Sequence, residues 1–134
     1  MAERGRDLFR LPLKTNRDVV TARQAVAREL KARGVKPIRV TRFATAVSEI
    51  ARNTVLHGGG GSFAVFLDPA SGYLMVECRD TGAGIADIDR AMTDGFSTGG
   101  SMGRGLGGAK RLADRFEIET GPGKGTYVRL GARL

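Results

Sequence analysis

At 134 residues, with 41% hydrophobic and 27% charged positions, the chain is long enough for one layered core and too short for two independent enzyme domains. It has no apolar run near the ~20 residues that span a bilayer and no secretory stretch after the arginines of Met1 to Arg10. The lone Cys78 forms no internal disulfide and no Cys/His grouping has zinc-site spacing, so a cytoplasmic protein without membrane contact or structural metal is expected. The net charge of +8 is one-sided, because residues 1–42 hold twelve Lys/Arg against four Asp/Glu while residues 43–134 hold ten of each; this fits a solvated helix surface or docking of an acidic protein, and no aromatic or motif pattern supports nucleic acid.

Phe9, Leu11 and Leu13 alternate with polar positions and Pro12, which predicts a short edge strand. After a Thr15-Asn16 cap, Val19, Ala22, Val26 and Leu30 recur at spacings of three and four up to Gly34, the pattern of an amphipathic helix. Pro37 opens a second helix whose stripe runs through Val40, Phe43, Ala44, Val47, Ile50, Ala51 and Thr54 to the glycines Gly58 to Gly61. Ser62–Leu67 and Tyr73–Asp80 read as adjacent antiparallel strands joined by a hairpin loop. From Thr81 to Gly108 the chain is glycine-punctuated, with a short helical stretch expected over 87–92. A third helix is expected over Leu106–Arg115. Then Phe116, Ile118 and Thr120 alternate, Gly121 to Gly125 turn, and Thr126, Val128 and Leu130 alternate again. Paired helices and hairpins, rather than repeated strand–helix–strand units, favour an antiparallel or mixed sheet with helices on one face.

Glu49 and Asn53 lie four apart on the second helix, about 40° from each other around its axis and on a polar side away from the apolar seam. Period two places Leu74, Val76, Cys78 and Asp80 on one side of their strand, so a carboxylate continues an apolar face. Such a group must find donors or bear a heavy desolvation cost; an adenine amine is one donor, and a simple turn after the strand is the alternative. The glycines of Thr81-Gly82-Ala83-Gly84-Ile85 let backbone approach a flat ring. Gly103, Gly105 and Gly108 satisfy G-x-G-x-x-G, yet no strand precedes them, which argues against a dinucleotide fold, and no P-loop signature is present. A glycine-rich loop running into a helix still offers an anion site.

Glu49-Ile50-Ala51-Arg52-Asn53, Asp80-Thr81-Gly82-Ala83-Gly84-Ile85, the Gly103 to Gly108 loop and Lys124-Gly125-Thr126 resemble, in order, four motifs of the GHKL (Bergerat-fold) ATPase superfamily. Within it, Val47 to Asn53, Ala91 to Gly100 and Lys110-Arg111-Leu112 are similar to the RsbT-type switch kinases, sisters of the anti-sigma-factor kinases. The resemblance implies an α/β protein, an α+β two-layer sandwich with a mixed, mostly antiparallel sheet, as one domain over 1–134 with an ATP lid at about 85–105. It implies a serine/threonine kinase of a stress-signalling, stressosome-like module, using ATP and Mg²⁺. Asn53 would hold Mg²⁺, Glu49 would be the catalytic base, and Asp80 would accept from the adenine amine with Thr126 nearby. Gly82, Gly84, Ile85, Ser97, Thr98, Gly99, Gly103, Arg104, Gly105, Leu106 and Gly107 would complete the nucleotide site. The stretch Ser101 to Gly108 departs from the switch-kinase pattern, leaving Arg104 either on phosphate or in water; His57 either touches nucleotide or meets the helix dipole, and Arg52 has no assigned role. The partners implied are a STAS-domain antagonist or scaffold, a PP2C-type phosphatase or a sigma factor, with homodimerisation left open. The competing readings are an anti-sigma factor that sequesters a sigma factor, and a nucleotide-sensing adaptor without transfer activity.

Overall fold

The computed structural model describes residues 6–85, 92 and 105–134. Five strands, β1 (Arg6–Leu13), β2 (Gly61–Asp68), β3 (Tyr73–Asp80), β4 (Arg115–Thr120) and β5 (Thr126–Arg133), form one sheet in the order β1-β2-β3-β5-β4. Every pairing among the described residues is antiparallel, the first of the two expected alternatives, an antiparallel or a mixed sheet. Pro12 sits in β1 at the sheet edge, the position in a sheet that tolerates a residue without an N–H. The last hairpin does not extend the sheet outward in chain order: β5 inserts beside β3 and leaves β4 at the rim.

Helices α1 (Asn16–Ala32), α2 (Pro37–Leu56) and α3 (Leu106–Leu112) are the described helices, and they pack on one face of the sheet. Thr15 caps α1 in a reciprocal box with Asp18, whose carboxylate accepts from the Lys14 amide at 2.8 Å and the Thr15 amide at 3.1 Å. Those amides hold the Asp18 carboxyl below its ordinary range, the Lys14 bond contributing most. The buried stripe of α1 is Val19, Ala22, Val26 and Leu30, while Arg17, Arg23, Arg28 and Lys31 face solvent. α2 buries every residue of its expected stripe and also Ala46 and Ser48, because it lies between α1 and α3. The core is completed from below by Phe63, Val65, Leu74, Val76, Cys78, Val128 and Leu130, the inward positions of the central strands.

The third helix ends three residues earlier than its pattern suggests. Ala113 turns extended (φ −105°, ψ 151°), and the Asp114 amide is taken by the Gly131 carbonyl at 2.9 Å, which draws the chain into β4. No helix among the described residues is long and apolar enough to cross a membrane. The short helical stretch expected over 87–92, and the expected lid apart from Ile85, Met92 and Gly105, lie outside the described residues.

Candidate functional site

The C-terminal half of α2, the end of β3 and the start of β5 converge on one cleft. Its walls include Asn53, Asp80, Gly84, Ile85, Leu106 and Thr126, all expected from the sequence, together with Ile50, Thr54, His57, Gly58, Cys78 and Val128. It encloses about 380 Å³ of space between atoms, part of it open to solvent, with mixed polar and apolar walls.

Asp80 stands at its centre and is 9% exposed. Its Oδ1 accepts from the Gly82 amide at 2.9 Å and from the Thr126 amide at 3.2 Å. Its Oδ2 has no donor among the described residues. The carboxylate is thus fixed in orientation by backbone and keeps one oxygen for something else. Glycine makes that position tenable: a Cβ on Gly58 would fall inside the Asp80 carboxyl group, and one on Gly125, at φ +70°, would collide with the Asp80 carbonyl. Gly82 and Gly84 abut Gly58 and Gly121 in the same way. These glycines serve the chain's own close packing, where sequence reasoning gave them to the approach of a ring.

A residue that sequence reasoning did not single out organises the opposite wall. Thr120 Oγ1 donates to the Gly125 carbonyl at 2.8 Å and accepts from the Ile85 amide at 2.9 Å. Its remaining contact, 2.9 Å to Thr126 Oγ1, must therefore be donated by Thr126, since a hydroxyl carries one proton. Thr126 consequently turns its lone pairs, and no proton, toward the cleft. Together Asp80 and Thr126 present acceptors, which suits a ligand edge rich in N–H groups. The inward alternation Phe116, Ile118, Thr120 was the available signal; the pairing of Thr120 with Thr126 across the last hairpin was not.

Glu49 does not line this cleft. Its side chain is 39% exposed and reaches the N-terminal end of α3, where its Oε1 faces Gly105, the left-handed cap (φ 71°) of that helix. Any side chain at Gly105 would displace it. Arg52, one turn on, pairs with Glu49 Oε2 at 3.3 Å; its role was unassigned, and an i, i+3 spacing was the legible clue. Asn53, four residues from Glu49, is half-buried on the cleft side. The polar side of α2 is thus partly roofed by α3 instead of facing open solvent, because Leu106 and Ala109 pack against it. α3 has no side-chain cap, so its first amides lack intrahelical acceptors; Leu106 lines the cleft and Gly107 is buried behind it. Ser97, Thr98, Gly99, Gly103 and Arg104 lie outside the described residues. Burial pushes the Cys78 thiol far above its ordinary range, so it behaves as a small apolar wall residue. Among the described residues no cluster of three His, Cys, Asp or Glu side chains has metal-binding geometry.

The comparisons with known proteins bear on the fold and the family. Residues 13–131 match the model of the histidine kinase-like ATPase domain. The serine/threonine-protein kinase RsbT of Bacillus subtilis is 39% identical over 119 residues, 87% of this chain and 90% of that protein. An anti-sigma F factor of a Thermoanaerobacter species is 35% identical over 92 residues, 64% of either chain. Among solved structures, the RsbU and RsbW domains of a Mycobacterium tuberculosis protein superpose with a TM-score of 0.65 at 22% identity, over 94% of this chain and 31% of that one. In the SiaB-SiaC complex of Pseudomonas aeruginosa the values are 0.58 and 15%, over 96% and 91%. With its two-layer fold, its four motifs in order and a family match across nearly its whole length, the chain belongs to the histidine kinase-like ATPase family, the GHKL group.

Proposed function

We propose that this chain is an ATP-dependent protein serine/threonine kinase of a bacterial partner-switching module, acting on a Ser or Thr of a STAS-domain protein. The observation that carries the reading is the half-satisfied carboxylate of Asp80, fixed by two amides on one oxygen and open on the other. Adenine offers an exocyclic amine to that oxygen, and the acceptor lone pairs of Thr126 stand beside it. Asn53 is the side chain suited to hold Mg²⁺ through its amide oxygen; with no acidic cluster nearby among the described residues, water and phosphate would supply the other ligands. Glu49, at the mouth between α2 and α3, accepts the proton of the incoming hydroxyl, and Arg52 keeps its carboxylate oriented. The first amides of α3 and the glycine-rich segment before it would receive phosphate, and Mg-ATP supplies the transferred group.

The similarity to RsbT over most of both chains favours a switch kinase, with activation of a PP2C-type phosphatase as its next step. Similarity to anti-sigma F factors supports the second reading, an anti-sigma factor that holds a sigma factor; stable capture of a purified sigma factor would favour it.

The test is transfer of label from γ-labelled Mg-ATP to a panel of STAS-domain proteins. Wild type should label a single Ser or Thr. Glu49→Gln should reduce the rate roughly 10²- to 10⁴-fold with nucleotide affinity unchanged, and Asn53→Ala should lose Mg-dependent binding. Full transfer by Glu49→Gln would remove Glu49 from the chemistry.

A further inference from the structure

Asp80, Thr126 and Thr120 lie in one row across β3, β5 and β4. The hydroxyl of Thr120 makes every bond a hydroxyl can make: it donates to the Gly125 carbonyl at 2.8 Å and accepts from the Ile85 amide and from Thr126 Oγ1, both at 2.9 Å. Nothing of it is left for a ligand. Its two backbone partners are themselves held in place. Ile85 is 8% exposed, and Gly125 is buried in a left-handed conformation (φ +70°) against the Asp80 backbone. The Gly123 amide also donates to the Ala83 carbonyl at 2.7 Å, so the last hairpin and the loop after β3 hold each other.

The consequence falls on Thr126, which lines the cleft beside Asp80. Its one proton is committed backward to Thr120, and its two lone pairs have no protein donor among the described residues. A free hydroxyl rotates, and can donate to a carbonyl as readily as it accepts from an amine. This one cannot donate into the cleft unless Thr120 releases it. A base that Asp80 has seated by its amine therefore finds a second acceptor in Thr126, whereas a carbonyl in the same place meets lone pairs from both residues.

We propose that Thr120 is a specificity-determining positioning residue: by holding the Thr126 proton out of the cleft, it makes the site reject purines that carry a carbonyl at ring position 6. The inference rests on the ATP-dependent reading above and adds how a residue that never touches the nucleotide sets base selectivity. The device is repulsive. It discriminates by opposing the wrong base with unpaired acceptors, and adds no contact that the right base alone could make.

The experiment is calorimetric titration of the full chain with Mg-ATP and with Mg-ITP, since inosine differs from adenosine only at ring positions 1 and 6. Thr120→Val should narrow the preference for ATP over ITP roughly three- to tenfold, the worth of one neutral hydrogen bond. It should do so by tightening ITP, a gain that damage to the fold does not produce. Thr120→Ser, which keeps the hydroxyl, should restore the wild-type preference. Thr126→Val tests the direction of the proton with Thr120 untouched: loss of the lone pairs should narrow the preference, and adding Thr120→Val should narrow it no further, because the one residue acts through the other. An unchanged preference in Thr120→Val, or one narrowed only by weaker ATP binding, would overturn the inference and leave the kinase reading standing. Should Thr120→Val fail to fold, Thr126→Val decides: a preference that widens or stays the same overturns the inference, since Thr126 then donates into the cleft or is not read at all. Wild type that binds neither nucleotide defeats the kinase reading and the inference with it.

Discussion

Glu77 and Asp80, three residues apart on β3, are equally buried at 9% exposure and point to opposite faces of the sheet. On the helix-free face, Glu77 Oε2 accepts the Tyr127 hydroxyl at 2.6 Å and Arg129 Nη2 at 3.1 Å. Arg129 in turn donates to the Tyr127 oxygen at 2.8 Å, and the Arg79 guanidinium stacks 4.2 Å from the Tyr127 ring centre. That carboxylate is neutralised by a cation and supplied with donors. On the helical face, Asp80 receives two backbone amides on one oxygen, with no cation paired to it among the described residues and nothing bonded to the other oxygen. Equal burial therefore conceals unequal completion. A charge buried with all its partners stabilises or specifies the fold; one held rigidly and left half-satisfied is suited to a ligand.

The largest effect on this contrast should come from the packing that holds Asp80. Gly125→Ala has to adopt a left-handed backbone, which costs about 1–2 kcal/mol, and also drives a methyl group into the Asp80 backbone. It should lose more than about 2 kcal/mol of stability in urea unfolding, and ATP binding with it. Gly123→Ala, with a similar φ of +75° and no atom of the described residues within 4 Å of the added carbon, is the control and should bear the conformational cost alone. Equal losses for the two would mean that the close approach to Asp80 is unimportant.

A smaller effect should appear on the completed side, in alkaline solution. Burial, and after it the bond to Glu77, raises the Tyr127 pKa above its ordinary value. A folded-state pKa above the unfolded one means that the contribution is fully present below about pH 10 and lost as pH rises through the folded value. Wild type should therefore show an extra fall in its urea midpoint on going from about pH 8 to about pH 11, which Tyr127→Phe lacks. Parallel curves for the two proteins would break the comparison from this side.

Much of the fold was legible because its signals are local. The Thr15 cap, the stripes of α1 and α2 and the period-two placement of Asp80 each depend on residues within a few positions of one another. Partners distant in sequence were not legible. Insertion of β5 between β3 and β4 is what brings Thr126 opposite Asp80 and beside Thr120, and no short spacing encodes it. For the same reason the third helix was drawn too long: its end is set by the Gly131 carbonyl and by Arg39, 75 residues from Asp114. Gly82 and Gly84 were given to the approach of a flat ring, and the backbone that closes on them is that of Gly58 and Gly121, 24 and 37 residues away in sequence.

The central claim is that the open oxygen of Asp80 is an acceptor for the adenine amine. Titration calorimetry of the full chain with Mg-ATP and with Mg-GTP tests it directly. A hydrogen bond to a charged acceptor is worth about 1.5–3 kcal/mol, so ATP should bind roughly ten- to a hundredfold more tightly than GTP, whose carbonyl meets the carboxylate with like polarity. Asp80→Ala should abolish that preference while Glu77→Ala, on the other face, keeps it. Equal affinities of wild type for the two nucleotides, or an unchanged preference in Asp80→Ala, would contradict the account.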